Sequence, residues 1–174
     1  DEFAGDEAAL AACRADIGRA DIIIAGMLFL EDHFRLVQDA IAARRDNCDA
    51  LVCCLSAPEI TRLTRMGRLD MSAEAKGLMG LLKRLRGKKE GGGASGKGQM
   101  KMLRELPKLL RFIPGTAQDV RSYFLTLQYW LGGSDDNVLN LVRHVIDRGA
   151  DGARKSLRGS VKVAPPVDYP EVGV

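Results

Sequence analysis

The chain has 174 residues, 46% hydrophobic and 28% charged, with a formal net charge of +3. That length buries a core of its own, so one domain with extensions is expected. So slight a charge is too weak to argue for nucleic acid, and none is expected as a partner; no apolar run approaches the ~20 residues of a membrane-spanning helix, so no membrane insertion is expected. The four cysteines, Cys13, Cys48, Cys53 and Cys54, show neither the paired spacing of a zinc site nor a secreted disulfide framework, which points to the cytoplasm. The first residues, Asp1-Glu2-Phe3, lack an initiating Met, and the chain is expected to be a fragment.

Ala8, Leu10, Ala11 and Ile17 recur at helical spacing, and the apolar run from Asp21 to Phe29 follows Gly18. This predicts a helix and then a buried strand. A second helix over residues 31–45 shows Phe34, Val37 and Ile41 on one face, and Asp49 to Leu55 makes a second buried strand. Strand, helix, strand is a βαβ unit, which implies parallel strands covered on both faces. The expected fold class is α/β: a partial Rossmann-like or flavodoxin-like parallel sheet followed by an α-helical region. Upstream sequence could supply a further strand.

After Leu55 the period turns helical and the sheet is expected to end. Ser56 stands where it could cap a helix, with Pro58 in the first turn and Glu59 close to a capping box. Leu78, Leu81, Leu82 and Leu85 mark an amphipathic helix running to about Arg86. Gly87 to Gly98 has no apolar residue except Ala94 and reads as a flexible linker. Residues 99–112 are helical with an interruption at Pro107, and Ile113-Pro114-Gly115 forces a turn. Thr116 then caps the longest helix, with Asp119 at its positive end and Val120, Phe124, Leu127 and Leu131 as its apolar stripe. Gly132-Gly133 ends it. Ser134 starts another, with Val138, Leu141, Val142, Val145 and Ile146 as its apolar face, and the two should pack as a hairpin. From Val161 onward, Pro165, Pro166 and Pro170 keep the chain extended toward a following domain. The segments are therefore an α/β portion (1–57), a basic helical segment (58–86), the linker (87–98), a helical hairpin region (99–150) and an extended linker (151–174).

Between Glu59 and Arg111, fourteen basic residues stand against five acids. That excess reads as a solvated helical face or as a surface for an acidic partner subunit or for propionates and phosphates. Gly91 to Gly98 nearly spells a phosphate loop, but Gly98 stands where a Ser or Thr must hold Mg²⁺ and no buried strand leads into it, so no nucleotide site is expected.

The carboxyl end of the first strand delivers Glu31, Asp32 and His33 to the edge where open parallel sheets bind ligands. Glu31 and Asp32 are candidate oxygen ligands for Mg²⁺, and His33 is a candidate proton shuttle or axial metal ligand. Adjacent helical residues diverge by about 100°, which keeps the three from one point. Acids complementing a helix dipole are the competing reading. Ser56 could meet an anion at the second strand's end or serve as a plain cap. Cys53 and Cys54 alternate faces of a strand and read as packing residues rather than a chelating pair. No Ser/His/Asp or Cys/His constellation is evident, so catalytic residues are not assigned here.

The stretch from Lys101 to Asn140, beginning KMLRELPKLLRFIPGTAQDVRSYFLTLQYWLGGSDDN, is too idiosyncratic to be generic helix. Together with TRLTRMGR at Thr61 to Arg68 and PVDYPEVGV at Pro166 to Val174, it resembles the large (H) subunit family of magnesium chelatases. The resemblance covers nearly the whole chain but only an N-terminal portion of a much longer family protein. It implies a parent enzyme that binds protoporphyrin IX and inserts Mg²⁺ in chlorophyll and bacteriochlorophyll synthesis, with ATP hydrolysed by AAA+ ATPase and adaptor partner subunits. Under it, His33, Arg121 and Trp130 become candidate porphyrin contacts, with Tyr123, Phe124 and Tyr129 as further rings and Arg111 and His144 as further polar groups. The same rings at helical spacing also read as core. No cofactor is expected in the fragment by itself, which is read as scaffolding, gating or docking. The alternatives are the related cobaltochelatase large subunit, from which the run IPGTAQDVRSYFLTLQYWLGGSDDN sets this chain apart, and a non-catalytic protein-interaction module.

Overall fold

The structure is a computed structural model that describes residues 5–72, 105–108, 110–111 and 115–168. The predicted leucine helix ending near Arg86, the Gly87 to Gly98 linker and most of the basic excess lie outside the described residues.

Helix α1 (Glu7–Arg19) is capped by Asp6, whose carboxylate accepts from the Ala9 amide at 2.9 Å. Strand β1 (Ile22–Gly26) follows, and helix α2 (Glu31–Arg44) returns the chain to strand β2 (Ala50–Cys54). The two strands pair in parallel, from Ile22 opposite Ala50 to Gly26 opposite Cys54. Their apolar runs lack polar alternation because both faces are covered. On one face Ile23, Ala25, Leu51 and Cys53 meet Phe34, Val37 and Ile41 of α2, with Leu10, Cys13 and Ile17 of α1 alongside. On the other, Ala50, Val52 and Cys54 meet Val120, Tyr123, Phe124 and Leu127.

The sheet does not end at Leu55, as the helical period suggested. After one turn of helix, α3 (Pro58–Thr61), the chain forms strands β3 (Arg65–Met66) and β4 (Leu69–Asp70). These add antiparallel to β2, giving the order β1-β2-β3-β4. Two-residue strands are too short to show an alternation in sequence. Their turn is set by Gly67, whose φ of +59° suits the first position of a two-residue hairpin loop. A side chain at Gly67 would also collide with the Asp119 carboxylate, 2.7 Å from where its Cβ would lie. That carboxylate accepts from the Arg68 amide at 3.0 Å and so fixes the hairpin against the next helix.

Beyond β3 the ladder is continued by a side chain. The Thr64 hydroxyl lies 3.1 Å from the Cys53 amide and 3.2 Å from its carbonyl, satisfying a backbone unit that no strand reaches. The buried Arg45 guanidinium ties the end of α2 to the hairpin, donating to the Leu63 carbonyl and to Asp46, Asp70 and Ser72. The hydrogen bond to Asp70 is the main cause of its raised pKa.

Helix α4 (Thr116–Gly132) crosses the second face of the sheet, and helix α5 (Asp135–Gly149) runs back beside it. The crossing can be followed residue by residue: Asp119 at the hairpin, Tyr123 donating to the Cys53 carbonyl at 3.2 Å, and Trp130 packed on Gly26 of β1. Thr116 is the first helical residue and Gly115 the cap position, so the predicted Thr116 cap is displaced by one residue. Gly133 at φ +61° ends α4 in the left-handed conformation, and the Ser134 hydroxyl caps α5 through the Asn137 amide.

The buried face of α5 is rotated from the predicted one. Leu141 and Val145 are inside with Asn137, Asn140 and His144, whereas Val138 and Val142 remain 44% and 42% exposed. The polar residues are buried because each finds a partner. Asn137 accepts from the Val167 amide at 2.9 Å and donates to its carbonyl at 2.8 Å. Asn140 accepts from the Ala164 amide at 2.9 Å, while the Tyr129 hydroxyl donates to the Ala164 carbonyl at 2.6 Å. Residues 161–168 are thereby held extended across the helical hairpin. A 3₁₀ helix (Gly152–Leu157) precedes them and is tied to the start of β2, its Arg154 donating twice to the Asp49 carboxylate at 2.8 and 2.9 Å. The bonds from Arg154 hold the Asp49 carboxyl below its ordinary pKa.

Helix α5 approaches the sheet closely at Gly149, where an added Cβ would stand 2.6 Å from the Cβ of Ala50. In an exposed helix Gly→Ala stabilises by about 1 kcal/mol. Here overpacking against a fully buried strand dominates, and Gly149→Ala is expected to destabilise the fold by about 1–3 kcal/mol, read as a lower urea midpoint with an unchanged slope.

Candidate functional site

β1 and β2 leave the sheet side by side, and their exits are knitted together. The Met27 amide donates to the Leu55 carbonyl at 3.0 Å, the Leu28 amide to the Ser56 hydroxyl at 3.1 Å, and the Ala57 amide to the Leu28 carbonyl at 2.9 Å. Ser56 in turn donates to the Cys54 carbonyl at 3.1 Å. Its hydroxyl is thus committed to the exit loops, and the expected helix cap is instead Ala57, without a side-chain bond.

Both exits turn through left-handed residues, Met27 at φ 63° and Leu55 at φ 45°. Neither is a glycine, so each carries backbone strain. The turn projects Met27, Phe29 and Leu30 into solvent, where they are 56%, 53% and 61% exposed. Three large apolar side chains together at the ligand-binding edge of a parallel pair form a lip suited to an apolar surface. Beside it lies an open crevice of about 680 Å³, lined by Phe29, Glu31, Arg35, Asp39, Pro58 and Glu59 among others.

The candidate metal ligands start α2. Glu31 pairs with Arg35 one turn later and faces this crevice. Asp32 is exposed. His33 points instead into a separate apolar groove of 380 Å³ with Cys13, Ile17, Gly26 and Val37. The first turn of α2 therefore sends Glu31 and His33 into different clefts. Among the described residues, no group of three His, Cys, Asp or Glu stands close enough to hold a metal ion.

The remaining candidate contacts lie on α4. Trp130 packs on Gly26 from the face opposite α2, so His33 and Trp130 flank one glycine with the sheet between them. Arg121 sits more than two turns back along α4, donating to the Pro107 carbonyl at 3.0 Å. Burial, then the Arg148 and Arg111 charges, lower its pKa. It shares a 430 Å³ cleft with Tyr129, His144, Asp147 and Arg148 beneath the extended segment. The structure thus joins Arg121 with His144 and leaves His33 and Trp130 elsewhere. Tyr123, Phe124 and Tyr129 are core residues.

Reactive chemistry is suppressed among the buried groups. Burial pushes the Cys53 thiol up to about 12 and Cys54 up to about 11, so neither is a thiolate at neutral pH. The His144 ring is buried, its Nε2 lying 3.2 Å from the Ser122 carbonyl. A carbonyl can only accept, so Nε2 carries the proton. Burial lowers the His144 pKa to about 4. The exit-loop lip is not legible in the sequence, because nothing marks Met27 or Leu55 as left-handed. The only signal for it is apolar Met27-Leu28-Phe29-Leu30 continuing past the strand.

The described residues define an α/β domain with an open-edged mixed sheet, a helical hairpin on one face and an apolar lip at the carboxyl end of its parallel pair. The chain belongs to the family described as "Domain of unknown function (DUF3479)", which matches residues 1–124. It is 49% identical over 99% of its length to the magnesium-chelatase H subunit of Rhodobacter capsulatus and 48% identical over 99% to the protein of that name in Cereibacter sphaeroides. To the chloroplastic magnesium-chelatase ChlH subunit of rice, Oryza sativa, it is 34% identical over 92%. The match falls on the N-terminal part of these relatives, and the chain spans 14% of the length of the two bacterial proteins and 11% of the rice protein. Among the described residues, no helix is long and apolar enough to cross a membrane.

Two measurements check the energetics of these sites. Met27→Gly relieves a left-handed residue whose side chain packs little, and is expected to stabilise the fold by about 1 kcal/mol in urea titration. His144 is harder to protonate folded, at about 4, than unfolded, at 6.5, so the unfolded state takes up its proton first as pH falls. Stability from this residue is present above pH 6.5 and lost between 6.5 and 4, by about 3 kcal/mol in all. His144→Gln should flatten that part of the profile and leave in place the acid loss from Asp49, whose carboxyl Arg154 holds below its ordinary pKa.

Proposed function

We propose that this chain is the N-terminal part of a magnesium chelatase H subunit and that it serves there as a scaffolding and docking domain. The observation that carries this is the 49% identity, sustained over 99% of the chain, to a protein of that name. The parent enzyme would take protoporphyrin IX and Mg²⁺ as substrates in bacteriochlorophyll or chlorophyll synthesis, with ATP hydrolysed by AAA+ partner subunits, in the cytoplasm. Four free cysteines support a reducing compartment.

Insertion of Mg²⁺ demands removal of two pyrrole protons and stripping of a tightly held hydration shell, hence an enclosed site with convergent bases and oxygen ligands. The geometry favours another role for this domain. Glu31 is paired with Arg35, Arg121 is bonded to a backbone carbonyl, and His33 and Trp130 stand on opposite faces of the sheet. The exposed Met27, Phe29 and Leu30, held by paired exit loops, suit contact with another protein surface.

Titration of the chain with deuteroporphyrin, followed by the porphyrin absorption band, tests the assignment. The expected result is no saturable binding at micromolar concentrations by a chain that circular dichroism reports as folded. Saturable binding abolished by His33→Ala, Arg121→Ala or Trp130→Phe would move part of the porphyrin site into this domain. A docking role predicts that Phe29→Asp in the full-length protein lowers chelatase turnover with porphyrin affinity unchanged. An interface carried by the apolar lip would persist at 0.5 M salt, whereas one carried by the basic middle would weaken.

A further inference from the structure

We propose that the outer edge of β1, which no strand pairs with among the described residues, receives a fifth strand, parallel to β1, supplied by the stretch of the full-length polypeptide that runs into α1. The first ground is backbone polarity. The Asp21 carbonyl accepts from Asp49 and the Met27 amide donates to Leu55, so the odd-numbered residues of this strand use their amide and carbonyl groups toward β2. In a parallel ladder both groups of a residue point the same way, and those of Ile22, Ile24 and Gly26 therefore point to the free edge. Edge strands left open to solvent are normally short, charged, bulged or interrupted by proline. β1 reads Ile-Ile-Ile-Ala-Gly and has no charge or proline.

The second ground is apolar surface on both sides of that edge. On one sheet face a groove of 380 Å³ runs along β1, lined by Cys13 and Ile17 of α1, Ile24 and Gly26 of β1, and Val37 and Ile41 of α2. None of the residues of α1 is fully buried, as expected of a helix covering a sheet that lacks its next strand. On the other face α5 lies against β1, with Val145 and Gly149 toward the sheet and His144 toward α4. By helix geometry Val138 and Val142 continue the sheet-facing side on the flank away from α4, overhanging the region beyond β1. They are exposed in this chain. A strand inserted there would be covered on both faces and would read as a continuous apolar run of about five residues.

The third ground fixes the occupant. α1 and α2 lie on the same face of the sheet, packed on each other. Parallel strand–helix–strand crossovers are right-handed in about 98% of cases. Two successive crossovers of one hand on one face must advance across the sheet in one direction. Since α2 carries the chain from β1 to β2, α1 carries it from the opposite side, which is the free edge of β1.

The test uses the full-length protein. Hydrogen exchange with residue-resolved mass spectrometry should find the Ile22, Ile24 and Gly26 amides slowed at least about 100-fold, as is expected of the buried Leu51 and Cys53 amides. In a Cys13→Ser background, Val142→Cys should form disulfides with cysteines placed at alternate positions of one short stretch preceding α1. Fast exchange at Ile22, Ile24 and Gly26 with Leu51 and Cys53 protected would mean an open edge and overturn the proposal. Slow exchange with no disulfide from the preceding stretch would mean that another segment fills the edge, and would overturn the assigned occupant. Neither outcome bears on whether porphyrin binds this domain.

Discussion

Burial of β2 on every side is the constraint from which the rest of the fold follows. Its five residues are fully buried, with no backbone group able to reach water. Each face and end must therefore be covered and each polar group matched. β1 satisfies one side along its whole length, whereas β3 satisfies the other for two residues only. The hydroxyls of Thr64 and Tyr123 complete the remainder at Cys53. Gly149 lets α5 approach Ala50, and Asp49 just before the strand draws in the 3₁₀ helix through Arg154. Elements distant in sequence thus converge on one pentapeptide, and the most damaging substitutions should be those around it rather than those at the surface.

The same strand explains why the exits are stiff. Two buried parallel strands end together, so the loops that leave them are close enough to bond across, and the left-handed turns at Met27 and Leu55 are sustained by those bonds. The apolar lip is consequently presented by a rigid base, which lowers the ordering cost of any surface that meets it. Buried ionisable groups lead to the same conclusion about role. Cys53, Cys54 and His144 are held in their neutral forms at physiological pH, as core residues are, and the exposed edge is where recognition can take place.

The parts legible in sequence are those with long periodicity. The apolar runs of β1 and β2 and the helical stripe through Phe34, Val37 and Ile41 place the βαβ unit, and Gly132-Gly133-Ser134 places the turn between α4 and α5. The divergence of Glu31 and His33 is likewise legible, because helix geometry alone separates neighbours. The hairpin at Arg65 to Asp70 escapes because two residues carry no period. The face of α5 is misread from sequence because hydrophobicity ranks valine above asparagine, whereas burial here follows hydrogen-bond partners that come from twenty or more residues away. Left-handed Met27 and Leu55 have no local signature, since tertiary bonds and not residue type impose them.

The grip of Asn137 and Asn140 on residues 164–167 acts on main chain alone. A carboxamide that reads an amide and a carbonyl is indifferent to the side chain between them. The held segment is therefore free to vary in sequence while its path stays the same, provided it remains extended, which Pro165 and Pro166 favour. Evolution can revise what this strap displays outward without moving the direction in which the polypeptide departs. The two asparagines, by contrast, have no substitute of equal reach and chemistry, so the heading of whatever follows is encoded on the helix rather than in the linker.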